Sequence, residues 1–92
     1  MSTDIRHNEA ESRFETTIDG HTAVAEYLLG DGRITFTHTH VPSELGGKGI
    51  GGQLAKTALE HARSQKLKVV PACQFIASYI ERNPEYQELV DG

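Results

Sequence analysis

Phe14, Thr16 and Ile18 alternate with polar neighbours, the period of a strand with one buried face. Asp19-Gly20 follows as a two-residue hairpin turn, because both residues tolerate the left-handed backbone that such a turn needs. The run from His21 to Leu29 carries Val24, Tyr27, Leu28 and Leu29 and predicts a second strand, covered on both faces or facing a helix at an edge. Gly30-Asp31-Gly32 supplies the next turn. Arg33 to Val41 is rich in β-branched and aromatic residues, and strand alternation sets Ile34, Phe36 and His38 on one face and Thr35, Thr37 and Thr39 on the other. The simplest assembly is a three-stranded antiparallel meander. Pro42 stops it, since proline cannot donate to a ladder. The period then changes: Ile50, Leu54, Ala55, Ala58, Leu59 and Ala62 fall on one helical face, with Gln53, Lys56, Glu60 and Arg63 on the wet side, and the helix is expected to end near Ser64. Leu67 to Val70 predicts a short strand, stopped by Pro71. A second helix is expected from about Cys73, with Phe75, Ile76, Tyr79 and Ile80 at helical spacing, ending before Asn83-Pro84 because the residue ahead of proline is pushed out of the helical region. The residues beyond, with Tyr86, Leu89 and Val90, carry no readable period.

Composition narrows what such a scaffold can do. At 92 residues one core has to serve everything, so a single domain over 1–92 is expected. A charged fraction of 24% with 37% hydrophobic residues is that of an ordinary globular chain, and no apolar run is long enough to span a bilayer. The polar start, Met1 to His7, has no apolar stretch of the signal-peptide kind, which predicts a cytoplasmic address and no membrane partner. A net charge of −4 disfavours nucleic acid, whose binding depends on excess Lys and Arg. The lone Cys73 excludes an internal disulfide, and the five histidines form no metal-binding motif, so no metal is expected.

The loop from Ser43 to Gly52 holds five glycines among the seven residues Gly46 to Gly52. Glycine at a helix start costs about 1 kcal/mol against alanine at each position, so their density calls for a reason. Stripped of side chains, the N–H groups of the loop and first helical turn can converge on a phosphate, favoured by the helix dipole. The competing reason is a flexible loop with close packing of the helix on the sheet. Gly47, Gly49 and Gly52 satisfy G-x-G-x-x-G, yet a dinucleotide-binding turn needs an acidic residue about twenty positions on, and Pro71-Ala72-Cys73-Gln74 offers none. The ATPase pattern fails as well, because Lys48 is followed by Gly49 where Ser or Thr is required.

The strand, Gly49-Ile50-Gly51, helix, short strand and second helix resemble the acetyl-CoA-binding core of GNAT N-acetyltransferases. His38-Thr39-His40-Val41-Pro42, Glu44 to Gly51 and Ala72-Cys73 are similar to the small stand-alone members of that superfamily, although Gly46 stands where larger relatives carry Gln or Arg. The resemblance implies an α/β fold of α+β type: a mixed, mostly antiparallel sheet with two main helices. It also implies acetyl-CoA as co-substrate, with its pantetheine arm inserted where Arg33 to Val41 and a parallel Leu67 to Val70 splay apart. The cofactor-binding set it implies is Thr39, His40 and Val41 on the strand and Gly46, Gly47, Lys48, Gly49, Ile50 and Gly51 on the loop. The acceptor it implies is an amine, on a small molecule or a protein; a non-catalytic module that binds or senses CoA is the alternative.

Acyl transfer to an amine needs a base, donors for the oxyanion and a proton for the departing thiolate. Backbone N–H groups of Thr39 to Val41 are candidates for the oxyanion. His38 is the candidate base, since imidazole titrates near neutrality, with His40 as its competitor. Cys73, at the expected start of a helix whose dipole favours thiolate, is a candidate nucleophile that accepts the acetyl group with His38 as its base. Tyr79 is a candidate proton donor to the thiolate, and otherwise an amphipathic core residue.

Overall fold

The computed structural model describes residues 4–47 and 49–91. Among them five strands form one sheet in chain order: β1 (Arg6–Asn8), β2 (Arg13–Ile18), β3 (His21–Gly30), β4 (Arg33–His40) and β5 (Lys68–Pro71). The first four pair antiparallel, and β5 pairs parallel to β4. Two α-helices, α1 (Ile50–Ser64) and α2 (Gln74–Arg82), flank β5 in sequence. Both Asp-Gly pairs turn as expected, with positive φ at Asp19 (52°) and Gly20 (79°) and at Asp31 (52°) and Gly32 (73°).

One face of the sheet carries the core. Phe14, Ala23, Ala25, Tyr27, Ile34, Phe36 and Val69 are buried there against Leu54, Ala58, Leu59 and Ala62 of α1 and Ile76 and Ile80 of α2. Buried alanines on both β3 and α1 let the helix lie close to the sheet. The opposite face, with Arg13, Glu15, Glu26, Thr35, His38 and His40, is partly or fully exposed.

Two elements go beyond the expected meander. β1 adds a short edge strand, with His7 opposite Phe14. After α2 a 3-10 turn over Pro84–Leu89 buries Tyr86, whose hydroxyl donates to Glu60 Oε2 of α1 at 2.6 Å while Arg63 lies over its ring. The chain then returns to β5: Val90 bridges Val69, the Asp91 N–H donates to the Val69 carbonyl at 2.9 Å, and Asp91 pairs with Arg33.

One expectation about β4 is corrected. Tyr27 faces Phe36 and Glu26 faces His38, so Thr37 is an extra residue on β4, a β-bulge. The bulge shifts the alternation by one. Ile34 and Phe36 point into the core, but His38 turns to the open face with His40, and Thr39, opposite the buried Ala25, turns inward. A strict period of two carries no sign of such an insertion, which is why sequence alternation set His38 beside Phe36.

Candidate functional site

β4 has two different edges along its length. From Arg33 to Phe36 it pairs with Lys68 to Pro71 of β5. Beyond Phe36 it stays paired with β3 as far as His40, while the chain after Pro71 leaves the sheet and turns into α2. The Cys73 N–H makes the last link, donating to the Phe36 carbonyl at 2.9 Å. Among the described residues no strand lies beside Thr37 to His40 on that edge, so the two parallel strands splay there. An extended molecule bearing amides can add to such an edge as a further strand would.

Cys73 sits in the mouth of the splay as the N-cap of α2, where its Sγ accepts from the Ile76 N–H at 3.4 Å. The bulge brings Thr39 to it, Oγ1 to Sγ at 3.3 Å. His38, expected to pair with Cys73, instead lies exposed on the other face, its ring parallel to that of His40 with centroids 6.3 Å apart. The structure therefore brings Cys73 together with Thr39, and His38 together with His40, on opposite sides of the same edge.

Past His40 the chain passes Val41 and a 3-10 turn over Ser43–Leu45 that buries Leu45, then enters the glycine loop. Gly47 and Gly49 have φ of 78° and 73°, a left-handed backbone in which a Cβ is strained, and Gly49 caps α1 without any side-chain bond. The Gln53 N–H takes the Gly49 carbonyl at 3.1 Å. Among the described residues no backbone carbonyl accepts from the N–H groups of Gly47, Gly49, Ile50 or Gly51. Those donors stand at the positive end of a 15-residue helix with no acidic residue in its first turn. Gly51 has a further reason: a Cβ there would lie 2.4 Å from Cζ of Phe75 on α2. Among the described residues the loop thus leaves amides without a backbone acceptor at Gly47 and Gly49, and Gly51 allows a close approach to Phe75 of α2, where packing on the sheet was the expectation. Lys48, also expected in the cofactor set, lies outside the described residues.

A cleft of about 500 Å³ opens over this loop, a size ordinary for ligand pockets. Val41, Leu45, Ile50 and the loop glycines form one wall, and Phe75, Tyr79, Arg82 and Asn83 of α2 and its end form the other. Tyr79 packs near Gly52 and stands six positions after Cys73, about 9 Å of helix rise. Burial, helped by Glu85, pushes its phenol up against an opposing pull from Arg82, which keeps the hydroxyl protonated through neutral pH. Phe75, Arg82 and Asn83 were not among the residues singled out from sequence. The available signal was their spacing, since 75, 79, 82 and 83 share one helical stripe beside the loop's partner helix. Among the described residues no cluster of three or more His, Cys, Asp or Glu side chains could hold a metal ion, and no helix is long and apolar enough to cross a membrane.

A mixed, mostly antiparallel sheet whose parallel pair splays beside a bare helix N-terminus is the fold of the GNAT acetyltransferases. The chain belongs to the GCN5-related N-acetyltransferase family, whose family model matches residues 13–89, and is a small member of the GNAT superfamily. Protein NATD1 from Homo sapiens is 32% identical over 88 residues, covering 92% of this chain and 78% of that protein. Protein NATD1 from Xenopus tropicalis is 31% identical over the same length, covering 92% and 81%. The NMR solution structure of a GCN5-like protein from Staphylococcus aureus superposes with a TM-score of 0.76 at 34% identity, covering 100% of this chain and 92% of that one. The mixed, mostly antiparallel sheet and two main helices expected from the resemblance are those of this fold.

Proposed function

We propose that the chain uses acetyl-CoA to acetylate an amine, with the diphosphate on the amides of Gly47 to Gly51 and the pantetheine arm along β4 beyond Phe36. The observation that carries this reading is the pairing of β4 with β5 stopping at Phe36 and Pro71, leaving a free strand edge that leads into the glycine-lined cleft. In this reading Thr39, His40 and Val41 offer backbone groups to the pantetheine amides and the thioester carbonyl. The amine approaches from the open sheet face, where His38 takes its proton as nitrogen attacks the carbonyl carbon. The carbon–sulfur bond then breaks, and CoA leaves as a thiolate that is protonated to the free thiol.

The contact of Cys73 with Thr39 favours a second route through the same cleft. There Cys73, having given up its thiol proton, attacks the thioester carbon, CoA leaves as the thiol, and the acetyl group waits on sulfur until an amine takes it. Because His38 lies on the far face, Thr39 is the hydroxyl partner in this route. Intact-mass measurement after exposure to acetyl-CoA alone separates the two: an added acetyl group absent from Cys73→Ala supports the cysteine route, and unmodified protein supports direct transfer. The overall reading is tested by titrating acetyl-CoA into wild type and Gly49→Asp, whose carboxylate would face the diphosphate, and by following free thiol with a panel of amines. Saturable binding lost in Gly49→Asp, with thiol released only when an amine is present or Cys73 is acetylated, is expected. No binding at millimolar acetyl-CoA would refute the assignment, and binding without thiol release or protein acetylation would leave a CoA-binding module.

A further inference from the structure

The glycine amides account for one wall of the cleft and carry no net charge, whereas the ligand proposed for them carries several negative charges. Among the described residues lining the cleft, Arg82 has the one charged side chain. It lies at the C-terminal end of α2, exposed, facing the loop across the cleft, and it forms no ion pair with any described residue. The contrast with Arg63 is instructive. That residue, on the far part of α1, is held by Glu60, by the Glu85 carbonyl and by Glu88. Arg82 has no such partner among the described residues. Its charge reaches the neighbouring Tyr79 hydroxyl one turn back, inside the cleft. Asn83, next along, is already committed: its Nδ2 donates to the Tyr79 carbonyl at 2.9 Å, which fixes the end of α2 and the place from which Arg82 projects.

We infer that Arg82 is a specificity residue that closes the cleft over the diphosphate from the side opposite the glycine amides, so that the protein selects diphosphate-bearing acyl carriers over bare acyl-pantetheine. This rests on the reading of the loop as an anion cradle. The chemistry suits the residue, because a guanidinium offers several donors in a fixed fork that matches phosphate oxygens and cannot lose its charge at any working pH. The amides set position and shape, and Arg82 adds the one full positive charge that the described wall supplies. An acyl-pantetheine lacking phosphate would keep the β4 edge and lose both.

Nuclear magnetic resonance titrations of wild type, Arg82→Gln and Arg82→Lys with acetyl-CoA, acetyl-dephospho-CoA and S-acetylpantetheine test this, since chemical shifts report binding even in the millimolar range. Loss of a charge-assisted hydrogen bond predicts acetyl-CoA and acetyl-dephospho-CoA affinities about ten- to a hundredfold weaker in Arg82→Gln. S-acetylpantetheine should bind equally well to both forms, Arg82→Lys should recover part of the loss, and added salt should weaken wild type more steeply than the Gln variant. Lys68→Gln, which removes one positive charge from the exposed β5 position opposite Arg33, at the end of the sheet away from the cleft, should change nothing and serves as the control for net charge. If wild type does not prefer acetyl-dephospho-CoA to S-acetylpantetheine, the cradle itself is overturned. If that preference is present and survives whole in Arg82→Gln, the cradle stands and the Arg82 assignment falls. Weakening confined to acetyl-CoA overturns the diphosphate role, because it would place the guanidinium on the ribose phosphate.

Discussion

The two ends of β4 are built on opposite plans. At the Arg33 end the strand is closed along both edges: β3 and β5 flank it, Val90 and Asp91 lie along β5, and Arg33 is tied to Asp91. Close by, His7 of β1 hydrogen-bonds Tyr27 Oη, stacks on Phe14 and meets His61 of α1 edge-on. At the His40 end the strand is bulged, one of its edges is bare, and the next segment is glycine loop. A single strand therefore divides its work, with side-chain packing at one end and exposed backbone at the other. Backbone left unpaired is stable only where water or a ligand can satisfy it, so the open end keeps its unpaired groups at the surface.

The largest effect expected from breaking this division is at the closed end. Ile34 is 1% exposed beneath α1, and Ile34→Ala should cost about 2–5 kcal/mol by leaving a cavity in a packed core. Urea denaturation should show the lost stability, while the affinity of the folded fraction for acetyl-CoA stays as in wild type. A matching loss of affinity would mean that the two ends are coupled.

At the open end the sign of a single methyl group is the sharper probe. Gly51→Ala gains about 1 kcal/mol in helix propensity but drives a Cβ to 2.4 Å from the Phe75 ring, and such overpacking costs about 1–3 kcal/mol. Net destabilisation of about 1 kcal/mol is expected, with weaker cofactor binding as Phe75 is pushed along the cleft wall. In a Phe75→Ala background the clash is gone, and the same Gly51→Ala change should stabilise by about 1 kcal/mol. A double-mutant cycle by chemical denaturation reads the reversal, and an unchanged sign would show that the Phe75 ring is not what excludes a side chain at Gly51.

What the sequence made legible divides along the same line. The closed end was readable because side chains carry it. Alternation located β2, an apolar run located β3 although only one of its faces is buried, both Asp-Gly turns behaved as their left-handed tolerance requires, and the periodicity of Leu54, Ala58 and Ala62 bounded α1 at Ile50 and Ser64. The open end was readable only in part. Glycine density marked the loop, since no other cheap arrangement puts so many there, and Pro42 and Pro71 marked where β4 and β5 stop. The bulge at Thr37 was invisible, because it follows from the register with Glu26 and Tyr27 on the neighbouring strand and leaves no trace in local composition. That one residue exchanged the faces of His38 and Thr39. β1 and the Val90 bridge escaped for a related reason: each is too short for a period and exists only through its partner strand.

The smallest effect expected is a pH dependence of stability that His7 carries at the closed end, without reaching the open one. Burial among Phe14, Tyr27 and His61 lowers the His7 pKa, the His61 ring adds to this, and Glu9 opposes it. The folded state thus prefers neutral His7 more than the unfolded chain does. Its contribution is therefore fully present above the unfolded value of about 6.5 and is lost as pH falls through the lower folded value, because the unfolded chain takes up the proton first. The denaturation midpoint should decline from about pH 7 to pH 5 in wild type and decline less in His7→Gln. Over the same range the acetyl-CoA affinities of folded wild type and folded His7→Gln should follow one another, since His7 and His61 line the hairpin end of the sheet and neither reaches the glycine cleft. An identical pH profile in His7→Gln would mean that protonation of His7 is accommodated in the folded state by rotation of its ring away from His61.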